Sequence, residues 1–463
     1  MKMNSTTEKK LFYNYCELLK EFIKIIKDRA VIYGISNKIW LFLSSAATAT
    51  LIIIFFTPEL QGYYYAFNSL LGIQTLFVMG IGQIIQQFIS HEWAKINFDP
   101  GSGFSGDKIA LERLASIKQF TVKWFSWITL LMFFGLSAGG FFFLIKSSPD
   151  SDVYLSEWLF PWLVICLLKS MQILLSPGLT FLEGINEVEN INRFRLKQSL
   201  SERITSWFVM ILGGKLWLFS AGTTVNLLGQ INFFRRKYYA LLKEVLSLKS
   251  AENKIWKKEI LPLQWRSAIS SVTGFLNFSF IIPLIFWYLG PVAAGSAGIS
   301  WAVITMFWGL SVTIITTKMP TFAIAAASKN YNKLNRTFFI STLNSTLLLL
   351  ITVLSFNLGL ILLKNISPSV SERFLDPLPL FLFSLSVIPH HIRFAMVSYM
   401  RALKREPFWK ISLAESVLIL IVLPLCCKNF GMTGLGAGFL FIIIIITAIT
   451  YFVFKKMKCE SAP

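Results

Sequence analysis

The sequence predicts an all-α polytopic membrane protein, with about twelve transmembrane helices in two pseudo-repeated six-helix bundles around a central cavity. Three observations predict it. The chain has 463 residues, 54% of them hydrophobic and only 15% charged, whereas a soluble domain carries about 25% charged residues. Apolar stretches near the ~20 residues that cross a bilayer recur along its whole length. Features of the first half return in the same order in the second. The composition excludes an ordinary soluble enzyme and a disordered chain.

In chain order, residues 1–30 form a polar, basic N-terminal segment, read as cytoplasmic and without a cleavable signal peptide. Within it Leu11, Phe12, Tyr15, Leu18, Leu19, Phe22, Ile23 and Ile26 share one helical face, and Lys20, Glu21, Lys24 and Lys27 fall largely on the other. That pattern describes a helix lying on the anionic inner leaflet, whose lipids are expected partners. The first bundle, 31–234, holds spans at 31–57, 62–89, 121–145, 158–182, 195–212 and 215–234. Only Gly213 and Gly214 separate the fifth and sixth. A basic linker follows at 235–263, amphipathic through Tyr239, Leu242, Val245 and Leu246. The second bundle, 264–454, holds spans at 264–289, 291–317, 337–363, 377–400, 409–427 and 432–454, and a tail closes the chain at 455–463. Everything reads as helix, because no run shows the alternation of a membrane barrel.

Charge sets the orientation. Formal net charge is +20, and 36 of the 44 Lys and Arg fall in segments on one side of the spans. By the positive-inside rule that side is cytoplasmic, and it holds both termini. A nucleic-acid partner is not expected, since every basic run abuts a span. Cys16, Cys166, Cys426, Cys427 and Cys459 lack metal-ligand spacing and read as reduced or buried.

The repeat rests on spacing. Pro58-x-x-x-Gly62 opens the second span and Pro291-x-x-x-Gly295 the eighth, 233 residues later; Gly213 matches Gly431 at an offset of 218. A longer loop around 97–111, with Pro100-Gly-Ser-Gly, absorbs the difference. Corresponding spans enter from the same side, so the repeat is parallel. Two such halves can rock around a central cavity, which points to a transporter, with a duplicated structural scaffold as the plain alternative.

Charge inside a membrane costs at least about 2.5–3.5 kcal/mol per residue and calls for a reason. Lys169 is deepest, near the middle of the fourth span, with Gln172 and Ser176 on its face. Lys38 lies in the first span, Arg393 in the tenth beside His390, and Arg266 opens the seventh, followed by Ser270, Thr273 and Asn277. These cations either snorkel to headgroups or line a hydrated cavity that binds an anion. Gln83 and Gln87 on the second span either bond sugars or join helices, as Asn226 and Gln230 do on the sixth. No Asp or Glu reads as mid-span; Glu415 in the eleventh comes nearest.

The chemistry of an enzyme is not expected, nor a cofactor or metal. Gly213-Gly-Lys215 is followed by Leu216 and is no P-loop. Asp150-Ser-Asp152 resembles the acidic pair of lipid-dependent glycosyltransferases, but its loop is too short to shape a sugar site. His390-His391 has no adjacent acid or nucleophile in sequence.

Pro58-Glu-Leu-Gln-Gly-Tyr-Tyr-Tyr65 running on to Ser90-His-Glu-Trp-Ala94, and Asn429-Phe-Gly-Met-Thr-Gly434 before a last span and Lys455-Lys456, resemble bacterial polysaccharide-biosynthesis membrane proteins. With twelve spans and intramembrane cations, the chain is similar to polysaccharide flippases of the multidrug/oligosaccharidyl-lipid/polysaccharide (MOP) exporter superfamily, in particular the O-antigen (Wzx-type) group. The resemblance implies movement of an undecaprenyl-diphosphate-linked oligosaccharide from the cytoplasmic to the periplasmic leaflet of the inner membrane, with polysaccharide polymerase and chain-length proteins as partners. The family's cationic cavity falls here on Lys169 and Lys38, with Arg266 and Arg393. The drug-exporting branch uses an intramembrane acid for cation coupling, which counts against drug export here. A cation-coupled exporter of amphipathic small molecules is the alternative, and a membrane-embedded glycosyltransferase or polymerase a third.

Overall fold

The computed structural model describes residues 29–74, 81–101, 103–147, 153–248, 269, 272–403, 405 and 407–461. Its elements are helices α1 (Arg29–Phe55), α2 (Pro58–Leu71) and α3 (Ile81–Trp93), strands β1 (Ile96–Asp99) and β2 (Gly103–Gly106), then α4 (Lys108–Ser147), α5 (Leu155–Gly184), α6 (Val188–Ile211), α7 (Trp217–Lys237) and α8 (Tyr239–Ser247). A helical stretch at 272–278 leads into α9 (Ile281–Ala327). The chain continues through α10 (Tyr331–Ile366), α11 (Pro368–Ser371), α12 (Pro377–Ala402) and α13 (Trp409–Ser461).

Two of these helices are each a pair. Gly290 has φ 83 and Gly431 has φ 61, inside α9 and α13 respectively. A side chain at such a φ is strained, so glycine permits a reversal there. The reversals are real hairpins. Beyond Gly290, Trp301 Nε1 donates to the Phe278 carbonyl at 3.0 Å, and beyond Gly431, Gly438 faces the Cys426 side chain. Gly213 also has positive φ, and Gly222 beyond it faces Ser206 and Glu202. With these turns the described residues make twelve helical passes, six before the linker and six after. Seven helices among the described residues are long and apolar enough by themselves to cross a membrane.

The local chemistry explains the ends. Thr57 Oγ1 accepts the Leu60 N–H at 3.2 Å and Pro58 opens α2, while Asn330 Oδ1 accepts the Lys333 N–H at 3.0 Å to cap α10. In the second pass, expected at 62–89, α2 ends at Leu71 and α3 begins at Ile81, and residues 75–80 between them lie outside the described residues. A short antiparallel strand pair, β1 with β2, accompanies the helices and pairs Phe98 with Phe104, beside Pro100-Gly101 and Gly103 at φ 79. The third pass extends beyond its expected 121–145 to 108–147, and the last helix carries the expected tail as far as Ser461. The amphipathic stretch predicted over 11–27 lies outside the described residues.

The two halves meet mainly through α2 and α9. A methyl on Gly62 would lie 1.9 Å from the Pro291 carbonyl oxygen, and one on Gly295 would lie 2.8 Å from the Pro58 carbonyl oxygen. The two repeat motifs therefore clasp each other across the pseudo-twofold axis, backbone to backbone. Gln61 Nε2 donates to the Gly295 carbonyl at 2.8 Å and the Arg373 carbonyl at 3.1 Å, while Arg373 Nη2 donates to the Phe56 carbonyl at 2.7 Å. Tyr63 and Phe143 both pack on Phe286, and Lys146 lies over the Trp287 ring. These contacts sit at one end of the bundle, the closed end. The turns at 94–107, 184–188 and 238 lie at the other, the basic end.

Candidate functional site

The fourth, fifth and sixth passes bring a polar cluster into the first half. Lys169 sits near the centre of α5, where Nζ donates to Gln172 Oε1 at 3.2 Å one turn away on the same helix. Across from it α6 presents Glu202, close enough to act on the Lys169 ammonium electrostatically, and Arg203. Glu202 Oε2 accepts from Asn226 Nδ2 on α7 at 2.5 Å. Arg203 is close enough to act electrostatically on the Tyr64 hydroxyl of α2, whose ring stacks on Phe219. Gly222 makes room for this arrangement, because a methyl there would meet the Ser206 hydroxyl at 2.6 Å and Glu202 at 3.1 Å. The cluster thus holds two cations and one carboxylate, tied on one side to the aromatic residues of the closed end.

Glu202 is an acid within the fifth helical pass. It lies nine residues before the α6 terminus at Ile211, about 14 Å along the helix axis. The expected fifth span, 195–212, begins only seven residues before Glu202, so in sequence the acid reads as lying near the cytoplasmic boundary, although α6 is one continuous helix from Val188 to Ile211. The signal that finds it is Glu202 and Asn226 placed almost symmetrically about Gly213, as two arms of one hairpin.

The second half holds a counterpart. Arg393 on α12 pairs with Glu415 on α13 at 2.6 Å, both side chains nearly out of solvent, and Arg393 Nη2 also lies 2.8 Å from His390 Nδ1. His391 Nε2 lies 2.8 Å from Ser345 Oγ on α10. The same two passes of each half, fourth and fifth, therefore carry one cation and one acid: Lys169 and Glu202, then Arg393 and Glu415. In the second half the pair is closed and its charge internally matched. Arg393 is accordingly a cation already satisfied by a carboxylate rather than one left open for an anion.

The other expected site residues are dispersed. Lys38 is exposed on α1, next to Asn37, which accepts from Ser199 Oγ at 2.5 Å. Gln87 is exposed on α3. Asn277 is buried, with its Oδ1 unpartnered among the described residues. Thr273 lies 3.0 Å from Ser416, so that part of the seventh-pass stripe turns toward α13. Asn226 and Gln230 both bond neighbouring helices, Gln230 through the Leu175 carbonyl at 3.2 Å. Arg266, Ser270, Asp150, Asp152 and the side chain of Gln83 lie outside the described residues. Among the described residues no group of three or more His, Cys, Asp or Glu is arranged to hold a metal ion.

No family profile and no curated protein matches the chain by sequence. Solved structures do resemble it. An inward-facing multidrug resistance MATE-family transporter of the MOP superfamily gives a TM-score of 0.68 at 10% identity, over 93% of this chain and 98% of that one. An outward-facing structure of such a transporter gives 0.56 at 12% identity, over 94% and 95%. A MOP-superfamily transporter from Pyrococcus furiosus, whose binding pocket is described as reversed in polarity, gives 0.56 at 12% identity, over 94% and 96%. The chain is a multi-pass membrane protein with the fold of MOP-superfamily transporters.

Proposed function

We propose that this protein is an alternating-access flippase that carries a lipid-linked oligosaccharide diphosphate from the cytoplasmic to the periplasmic leaflet of a bacterial inner membrane, for surface polysaccharide synthesis. The basic end is the cytoplasmic one on this reading, and the end where α2 and α9 pack is periplasmic, so a substrate made in the cytoplasm would enter at the basic end. The higher TM-score against the inward-facing neighbour agrees with that. The observation that carries the substrate class is Lys169. It is a lysine near the centre of a long apolar helix, with the Glu202 carboxylate and the Arg203 guanidinium of α6 both close enough to act on it electrostatically. Two cations over one acid favour a bound diphosphate, and Arg and Lys are its natural partners. Sugars would pass through the hydrated interior while the lipid tail stays in the bilayer.

Lys169→Ala is expected to abolish polysaccharide export while the protein remains in the membrane at normal abundance. Normal export by that variant removes Lys169 from the site. Lys169→Arg is expected to retain part of the activity, since it keeps the charge.

Glu202 favours a second reading, a cation-coupled exporter of amphipathic small molecules. An intramembrane acid bonded to Asn226 is a group that can bind a proton or a metal cation in exchange for substrate. Accumulation of cationic dyes in cells overexpressing the protein separates the two. Energy-dependent dye efflux lost in Glu202→Gln, with polysaccharide export unaffected, decides for the exporter.

A further inference from the structure

A second chamber lies away from the polar cluster, at the basic end of the first half. It has a volume of about 210 Å³ and is enclosed by α3, α4, α5, α7 and the short amphipathic helix α8, with Ile85, Phe125, Phe181, Phe234 and Val245 on its walls. Its lining is apolar except for two groups on α4, Lys118 and Thr121. Apolar cavities of ~150 Å³ in other proteins stay dry and take apolar ligands.

Three features select the occupant. The lining on α4 runs from Leu114 to Phe125, about 16 Å of helix at 1.5 Å per residue, long enough for a stretch of extended apolar chain and ending inside the expected third span. Its mouth is formed by Val122, Leu174 and Leu246, each more than 40% exposed on the outer surface of the bundle. Finally, the Thr121 hydroxyl is 5% exposed and has no hydrogen-bond partner among the described residues, although most hydroxyls on these helices bond a carbonyl three or four residues back. A buried hydroxyl in an apolar chamber is costly unless a ligand supplies its partner.

Lys118 shapes the entrance. Its Nζ donates to the carbonyls of Leu246 at 3.0 Å and Leu248 at 2.6 Å, pinning the C-terminal end of α8 over the chamber, where a cation suits the helix dipole. Lys123 and Lys243 are exposed on the same two helices, each next in sequence to a lining residue, Val122 and Leu242, and would add cationic charge near the mouth.

We infer that this chamber binds one acyl chain of an anionic phospholipid from the leaflet at the basic end, with the ester carbonyl accepting from Thr121 and the phosphate held by these lysines. The lipid would act as a wedge that fixes α8, and with it the start of the linker between the halves, against the first half. The inference does not depend on which substrate is carried.

Full-length protein in vesicles of phosphatidylglycerol and phosphatidylcholine, with a phosphatidylglycerol bearing a diazirine on its acyl chain, tests it. Photolabel is expected to concentrate in 114–125, 174–181 and 242–246 over the equally lipid-facing Trp127, Phe134 and Phe142 of the same helix. Val122→Trp, which narrows the mouth at an exposed position, is expected to lower that labelling roughly tenfold. Thr121→Val, which keeps shape and removes the hydroxyl, is expected to lower it with thermal unfolding unchanged. Label spread evenly along α4, equal labelling from a zwitterionic phosphatidylcholine probe, or labelling obtained only with a photoreactive polyprenyl diphosphate would each overturn the inference.

Discussion

Buried charge decides most at the scale of single residues. Arg393 and Glu415 lie on different helices, 22 positions apart, and form an ion pair almost removed from solvent. Removing one partner leaves the other charge buried and alone, at a cost of about 3–5 kcal/mol. Glu415→Gln is thus expected to lower the thermal midpoint of the purified protein markedly. The double variant Arg393→Leu, Glu415→Leu should recover most of that loss, because an apolar pair avoids the desolvation penalty. If the double variant is stable yet does not transport, the pair serves the transport cycle as well as the fold. At the basic end Tyr238 donates to Glu187 Oε2 at 2.6 Å. Burial raises the Glu187 carboxyl, but the bonds from Tyr238 and Asn190 and the charge of Lys237 outweigh it and hold it below its ordinary 4.5. A depressed folded value stabilises above the unfolded one, so this contribution is full above about pH 5. It fades as pH falls below 4.5 through the folded value. Tyr238→Phe should cost about 1–3 kcal/mol near neutral pH and flatten the acid limb of the stability profile. Unfolding scans from pH 3 to pH 7 measure it; an acid limb as steep as in the parent protein would dismiss the bond as a stabiliser.

Individual helices are governed by contact distance. Membrane helices gain little from burying apolar surface against each other, since lipid is equally apolar, and so associate by close packing of small residues. The α2–α9 clasp is such a case, with Gly62 under Pro291, Gly295 under Pro58 and Gly298 under the Tyr65 ring. The neighbours of Gly62 are backbone atoms and cannot turn aside. Gly62→Ala is expected to part the two helices at the closed end, at about 1–3 kcal/mol of overpacking. A cysteine at Thr57, already exposed, should then react faster with a membrane-impermeant thiol reagent. An unchanged rate would mean that the clasp yields elsewhere. The motif pair Pro58-x-x-x-Gly62 and Pro291-x-x-x-Gly295 was visible in the sequence as a repeat. That each copy is the other's packing partner was not, because spacing along a chain carries no information about which copies face each other.

Across the whole molecule the question is which end is open. The closed end is fastened by Arg373, whose guanidinium holds the Phe56 carbonyl while its own carbonyl accepts from Gln61. One residue of the second half thus bonds twice to the first. Charged hydrogen bonds of this kind contribute about 1.5–3 kcal/mol, enough to move a two-state population by roughly tenfold or more. Arg373→Ala is expected to shift the protein toward the state open at this end, read as longer distances between spin labels on α2 and α9. Distances identical to those of the parent protein would remove Arg373 from the gate.

Membrane class, number of passes, the basic face and the repeat were determined by the sequence alone. Each is a one-dimensional property: a length of apolar chain, a count of Lys and Arg between spans, an interval between like motifs. The breaks at Gly213, Gly290 and Gly431 also show in sequence as glycines between apolar runs. Only the tertiary structure decided which charges meet. Lys169 stood out by depth, yet its neighbours Glu202 and Arg203 read as lying near the cytoplasmic end of the fifth span, and Arg393 had no visible acid until α12 and α13 were packed together. The reason is physical. Depth follows from position along a helix, whereas the partner of a buried charge depends on how each helix is rotated about its axis and on which helix lies beside it. Those are settled by packing across distances of tens of residues.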